Sequence, residues 1–229
     1  MLEQLKKQVY EANMRLKDEK LIIFTWGNVS GITEDRKYMV IKPSGVDYNL
    51  LTPDKMVICD MEGKIIEGNL KPSSDYKTHL EIYKAASNVN GVCHTHSKWA
   101  TIWAQSKRGI PNYGTTHADY FQGYIPCSRD MSNEEIKEDY EKNTGKVIVE
   151  TLEGKDFIKN KAILVSSHGP FTWGSSANDS VDTAVVLEEI AYMAKYTEDL
   201  NPEIDSINKV LQNKHFDRKH GTNAYYGQK

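Results

Sequence analysis

Histidines carry the first chemical signal in this chain. His94 and His96 stand one residue apart behind Val92 and Cys93, and His168 follows the apolar run Ala162-Ile163-Leu164-Val165. If both runs are buried strands, the alternation of side chains puts His94 and His96 on one face. The end of the second strand can then bring His168 to the same point. Three imidazoles around one point form the ligand set of a catalytic zinc, which keeps a further position open for water or substrate. Asp75 adds a carboxylate that can act as a further ligand or as a proton carrier. As a residue of a first helical turn it is equally accounted for by the helix dipole.

Two similar tripeptides follow the same logic for an anion. Lys42-Pro43-Ser44 precedes Gly45, and Lys71-Pro72-Ser73 precedes Ser74, where a helix is expected to begin. Each supplies a cation, a rigid turn and hydroxyl or N–H donors, and a helix N-terminus favours anions. With Gly27 and Asn28 they can cradle a phosphate, although turn formation and helix capping account for the same residues without a ligand. Asp119, in a Gly- and aromatic-rich segment beside His117, is an acid/base candidate. Tyr226 belongs to a Tyr-Tyr pair behind an amphipathic stretch, which suggests a tail that docks. No Gly-x-Ser-x-Gly is present and no thiol has an activating neighbour, so covalent hydrolysis is poorly supported. A cation, an anion pocket and proton carriers suit bond making and breaking next to a carbonyl, where negative charge on oxygen must be stabilised.

The elements that must position these groups read as follows. Leu2, Leu5, Val9, Ala12 and Leu16 form a helical stripe. Strands are expected over 21–26, 38–41, 56–60 and 64–67, the last two flanking a hairpin turn at Gly63. Ser74 is expected to cap a helix running to about Ser87, with His79 as a core histidine on its inner face. Further helices are expected at 99–105, at 180–196 and from Pro202, and strands at 92–96, 147–151 and 162–165. Short strands without intervening helices favour antiparallel pairing in the first half.

With 229 residues the chain suits one domain, and 29 Lys plus Arg against 32 Asp plus Glu exclude a nucleic-acid surface built on overall charge. No apolar run approaches the ~20 residues of a membrane span, and no secretory pattern opens the chain. Cys59, Cys93 and Cys127 are odd in number and far apart, as expected of reduced thiols in a cytoplasmic protein.

Across its whole length the sequence resembles the L-ribulose-5-phosphate 4-epimerase family, a branch of the class II sugar-phosphate aldolase superfamily. The resemblance runs from Leu2-Glu3-Gln4-Leu5 through Thr25-Trp26-Gly27-Asn28-Val29-Ser30, Ile41-Lys42-Pro43-Ser44-Gly45 and Lys71-Pro72-Ser73-Ser74-Asp75. It continues through His94-Thr95-His96-Ser97, Gly114-Thr115-Thr116-His117-Ala118-Asp119-Tyr120, Ser167-His168-Gly169-Pro170 and Ala224-Tyr225-Tyr226-Gly227-Gln228. It implies a three-layer α/β/α domain over 1–229 around a largely antiparallel sheet, with the tail from about 221 contributing to the active site of a homotetramer. It implies zinc, or another divalent ion, on His94, His96 and His168 with Asp75 beside it. It assigns the phosphate of a sugar phosphate to Gly27, Asn28, Lys42, Ser44, Gly45, Ser73 and Ser74. Proton transfer falls to Asp119 and Tyr226 of an adjacent subunit, with Thr115, His215 and Arg218 close by. The implied reaction interconverts L-ribulose 5-phosphate and D-xylulose 5-phosphate by breaking and re-forming the C3–C4 bond, the metal carrying the enediolate charge. An aldolase that releases the aldehyde is the nearest alternative, and a non-catalytic scaffold like the adducin head domain a further one.

Overall fold

The computed structural model describes residues 2–222 and 224–226. In chain order the elements are α1 (Leu2–Asp18), β1 (Asn28–Ile32), β2 (Tyr38–Ile41), β3 (Val57–Asp60), β4 (Ile65–Glu67), α2 (Tyr76–Ala85), β5 (Gly91–His94), α3 (Lys98–Gln105), α4 (Thr115–Ala118), α5 (Asn133–Glu138), α6 (Tyr140–Thr151), β6 (Ala162–Val165), β7 (Gly169–Gly174), α7 (Ala177–Leu200) and α8 (Lys209–His220). The strands form one sheet in the order β4-β3-β2-β1-β5-β7-β6, and every neighbouring pair is antiparallel.

Side-chain alternation builds the layers. Met39 and Ile41, Val57 and Cys59 face a core with Leu80, Ile82 and Tyr83 of α2 and Ile148 of α6. Their sequence neighbours Val40 and Ile58 face the opposite core, with Val9, Ala12 and Leu16 of α1 and Val181 of α7. β2 and β3 are therefore apolar on both faces, which is why these stretches read as continuous hydrophobic runs. The expected three-layer α/β/α arrangement with an antiparallel sheet is what the chain adopts.

Several local expectations are overturned. Residues 21–26 are bends and turns rather than a strand: Trp26 N–H bonds Ile23 O at 3.1 Å, and Phe24 has φ +54° and is 79% exposed. The sheet begins only at Asn28. Val147–Thr151 is the end of α6, because Asn143, Thr144, Val147 and Ile148 recur at helical spacing on its buried face. Gly145 lets α6 approach α2 closely; a Cβ there would stand 2.6 Å from Glu81 Cβ. Asp75, not Ser74, is the N-cap of α2, and it makes no side-chain capping bond. Pro202 starts no helix; α8 begins at Lys209 with the Asn208 side chain accepting from Val210 and Leu211 N–H groups. α7 begins before the expected Ser180, capped by Ser176.

Sequence reading missed two strands: β1, where a turn was expected at Gly27-Asn28, and β7, which lies between β5 and β6 although it opens on Gly169-Pro170. Proline inside a sheet forfeits one donor. Here its partner across the pair is Leu164, whose N–H bonds Pro126 O at 2.9 Å and whose carbonyl accepts from Ser128 N–H at 2.8 Å. The lost donor therefore leaves no gap in the pairing.

Candidate metal centre and anion cavity

His94 ends β5, in register with Asn28 of β1 on one side and Phe171 of β7 on the other. Its ring stacks on Phe171 with centroids 4.2 Å apart, and its Nδ1–H donates to Pro170 O at 2.9 Å. That bond fixes the tautomer and leaves Nε2 as a lone-pair donor, the usual device for orienting a ligating histidine. His96 lies just past the strand, yet its Nε2 is 3.1 Å from His94 Nε2. Two nitrogens on one tetrahedral zinc would stand roughly 3.3 Å apart. His168 completes the group, and the ligand atoms of all three lie within 4.8 Å of one another. It follows Ser167, a non-glycine residue at φ +61°. A left-handed residue of this kind is a local strain that persists only where the surroundings demand it, and here it turns the chain from β6 into β7.

Burial suppresses the charged forms of two of these rings. Desolvation, then the neighbouring His94, pushes His168 down to about 3 and lowers His96 as well. Neutral imidazoles are the form that binds a metal. Asp75 accepts from Asn28 Nδ2 at 2.8 Å. Its burial acts upward, but the imidazoles of His94, His79 and His168 and the Asn28 amide outweigh it and hold the carboxyl below the ordinary range. The buried His79 packs behind this group, with its Nδ1 2.7 Å from Ser30 Oγ.

The two Lys-Pro-Ser tripeptides meet in space. Pro43 and Pro72 form an isolated antiparallel bridge, with Ser44 N–H to Lys71 O and Ser73 N–H to Lys42 O both at 2.9 Å. Lys42 is 1% exposed; its ammonium bonds the Pro43 carbonyl at 3.2 Å and sits 4.8 Å over the Tyr48 ring. Among the described residues it has no carboxylate within salt-bridge distance, and burial, only partly countered by Asp47, takes it down to about 8. A buried cation held only by backbone carbonyls can pair with an anion that enters the cavity.

Gly27, Asn28, Lys42, Ser44, Gly45, Ser73, Ser74, Asp75, His94, His96 and His168 all line one cavity of about 380 Å³. Every residue expected to bind metal or phosphate is thus gathered there. Tyr140 and Glu141 also line it, and the Tyr140 hydroxyl lies 3.4 Å from His168 Nδ1. Sequence reading missed both, because the helix they open reads locally as a strand over its last residues. Trp26 stands at the rim, 5.8 Å from the His96 ring.

Asp119, Thr115, His215, Arg218 and Tyr226 are not in that cavity. They form a second cluster where α4 meets α8. Arg218 grips Asp119 through Nε at 3.0 Å and a terminal amino group at 2.7 Å, and His215 Nδ1 lies 3.0 Å from the same carboxylate. The Arg218 guanidinium also lies 4.5 Å from the Tyr226 ring centre, and Tyr226 N–H bonds Arg218 O. Thr115 opens α4 and accepts from Asp119 N–H at 2.9 Å.

Solved structures share this architecture at low identity, a level that speaks to the fold alone. An L-fuculose 1-phosphate aldolase superposes with a TM-score of 0.80 at 20% identity, covering 94% of this chain and 95% of its own. The L-fuculose-1-phosphate aldolase of Thermus thermophilus gives 0.69 at 20%, covering 89% and 100%. A sugar-phosphate aldolase from Thermotoga maritima gives 0.64 at 18%, covering 86% and 96%. With residues 7–194 matching the family described as Class II Aldolase and Adducin N-terminal domain, this chain belongs to that family.

Proposed function

We propose that the chain is a metal-dependent epimerase interconverting L-ribulose 5-phosphate and D-xylulose 5-phosphate. The observation that carries the reading is the meeting of three imidazoles and a buried lysine in one cavity. Such a cavity matches a small sugar with a carbonyl at one end and a phosphate at the other. One divalent cation, zinc by the all-nitrogen donor set, would supply Lewis-acid stabilisation of charge on the sugar oxygens.

The remaining work falls to the chain itself. Lys42, Ser44, Gly45, Ser73 and Ser74 hold the phosphate, and Asn28 and Asp75 fix the groups beside the histidines. Loss of the C4 hydroxyl proton lets the C3–C4 bond break, its electron pair remaining on C3. The products of that step are an enediolate and glycolaldehyde phosphate. Tethering by phosphate lets the aldehyde present its other face before C3 attacks again, so that C4 is inverted. A proton carrier is needed on each face, and the cluster of Asp119 and Tyr226 provides them from an adjacent subunit of a homotetramer. The three free thiols fit a reducing, cytoplasmic setting.

Incubation of zinc-loaded protein with L-ribulose 5-phosphate tests this directly. The expected product is D-xylulose 5-phosphate without net aldehyde. The family match, whose description names class II aldolases, also accommodates a second reading, an aldolase. Accumulation of glycolaldehyde phosphate would select it.

A further inference from the structure

The three imidazoles of the cavity are not held alike. His94 is locked by stacking on Phe171 and by its bond to Pro170 O. His168 stands outside the strands, in the turn between β6 and β7. Its ring centre lies 4.7, 5.1 and 6.0 Å from those of His94, His96 and Phe171, edge to face in each case. Contacts of that kind fill space but do not choose between Nδ1 and Nε2. Among the described residues the ring has one hydrogen-bond partner, the Tyr140 hydroxyl, 3.4 Å from Nδ1.

Tyr140 is brought there by the pairing of α6 with α2. Lys77 Nζ donates to both carboxylate oxygens of Asp139, each at 2.9 Å, and Thr78 Oγ1 donates to Glu141 O at 2.6 Å. One turn further on, Gly145 lies against Glu81. The first turns of the two helices are thus clamped side by side. Tyr140 stands on the same face of α6 as the buried Thr144 and Val147, four and seven residues on, but it lines the cavity and is 37% exposed. The same end of α2 presents Asp75 to the histidines. One helix pair therefore delivers two groups to the outer side of the metal centre.

A neutral imidazole carries one N–H, and the nitrogen that holds it cannot bind a cation. A ligating histidine is accordingly set by whatever accepts from its other nitrogen. We propose that the Tyr140 hydroxyl is this acceptor for His168: it takes Nδ1–H, fixes the ring plane and leaves Nε2 bare for the cation shared with His94 and His96. This rests on the metal-centre reading above and adds a positioning residue to it. At 3.4 Å the bond is long, so it selects a nitrogen more than it anchors the ring. A phenol accepts and donates at once, and its hydrogen stays available to other acceptors.

Zinc titration and imidazole nitrogen spectroscopy on the full-length chain test the proposal together. Tyr140→Phe keeps the ring and removes only the hydroxyl. It is expected to weaken zinc binding by about tenfold or more in competition with a chelator, with the thermal midpoint of the metal-free protein unchanged. In metal-free wild type at neutral pH, the 15N shifts of His168 should show Nδ1 protonated and Nε2 bare. In Tyr140→Phe that preference should be lost. Equal zinc affinity in the two proteins, or a bare Nδ1 in the wild type, would overturn the proposal alone. Weaker binding with the tautomer unchanged would assign the loss to packing and overturn it too. Wild-type protein that holds no zinc would remove the metal-centre reading itself, and the proposal with it.

Discussion

His96 is the ligand whose removal separates binding from folding. His94 is 1% exposed, stacked on Phe171 and bonded to Pro170 O, so its loss would leave a hole and an unpaired carbonyl. His96 lies beyond the strand and is only half-buried. His96→Ala should therefore drop bound metal from about one per chain to a small fraction, with little change in thermal midpoint of the metal-free protein. Undiminished zinc by elemental analysis would refute the ligand assignment. Two other histidines govern acid stability. Burial takes His79 down to about 3 and His117 to about 4, against 6.5 when unfolded. Below pH 6.5 the unfolded chain gains protons that the native state refuses, so stability falls as pH drops toward the folded values. Each contributes roughly 1.4 kcal/mol per pH unit in that window, before any partial compensation by relaxation. Denaturant titrations of metal-free protein at pH 7.5 and 5.0 should show a loss of several kcal/mol, reduced in His117→Gln. Equal midpoints at the two pH values would contradict it.

At the scale of elements, the close approach of β7 to β5 sets the metal centre. A Cβ on Gly169 would stand 2.8 Å from Thr95 O and 3.6 Å from His94 Cε1. Gly169→Ala should thus move β7 away from the strand that carries His94, costing about 1–3 kcal/mol and weakening metal affinity. An unaltered affinity in a zinc titration would show that the two strands need not touch there. The same element marks the limit of what the sequence discloses. The histidines, the two Lys-Pro-Ser turns and the helix at Lys98–Gln105 were legible because residue type and short-range spacing define them. β7 was hidden because Gly169-Pro170 reads as a turn, and only the Leu164 bonds to Pro126 and Ser128 make a proline tolerable there. α6 was hidden because β-branched Val147, Ile148, Val149 and Thr151 favour a strand locally. The groove of α2, opened by Gly145, outweighs that preference. Tyr140 and Glu141 disappeared from view with it. Residues 21–26 failed the other way: Ile23, Phe24 and Trp26 are apolar yet exposed, and Trp26 borders the cavity.

The molecule as a whole presents two incomplete halves. The cavity holds the imidazoles and Lys42, while Asp119, His215 and Tyr226 cluster elsewhere on the same chain. α8 and the tail lie beyond the residues 7–194 of the family match, whereas Asp119 lies within them, so the second half joins the matched region to the C-terminal helix. If neighbouring subunits bring the halves together, each defect can be compensated by the other. His96→Ala chains lack the metal half but keep the tail, and Tyr226→Phe chains keep the metal half but lack the phenol. In a cyclic assembly each interface joins one cavity to one tail. Random mixing of equal amounts makes both intact at one interface in four, so co-expressed chains should recover about a quarter of wild-type turnover per site. Each variant alone should be nearly inactive. Recovery no greater than the sum of the separate variants would mean that the halves never meet, and that proton transfer is carried by groups within the cavity, where the Tyr140 hydroxyl lies 3.4 Å from His168 Nδ1 and Glu141 also lines the wall.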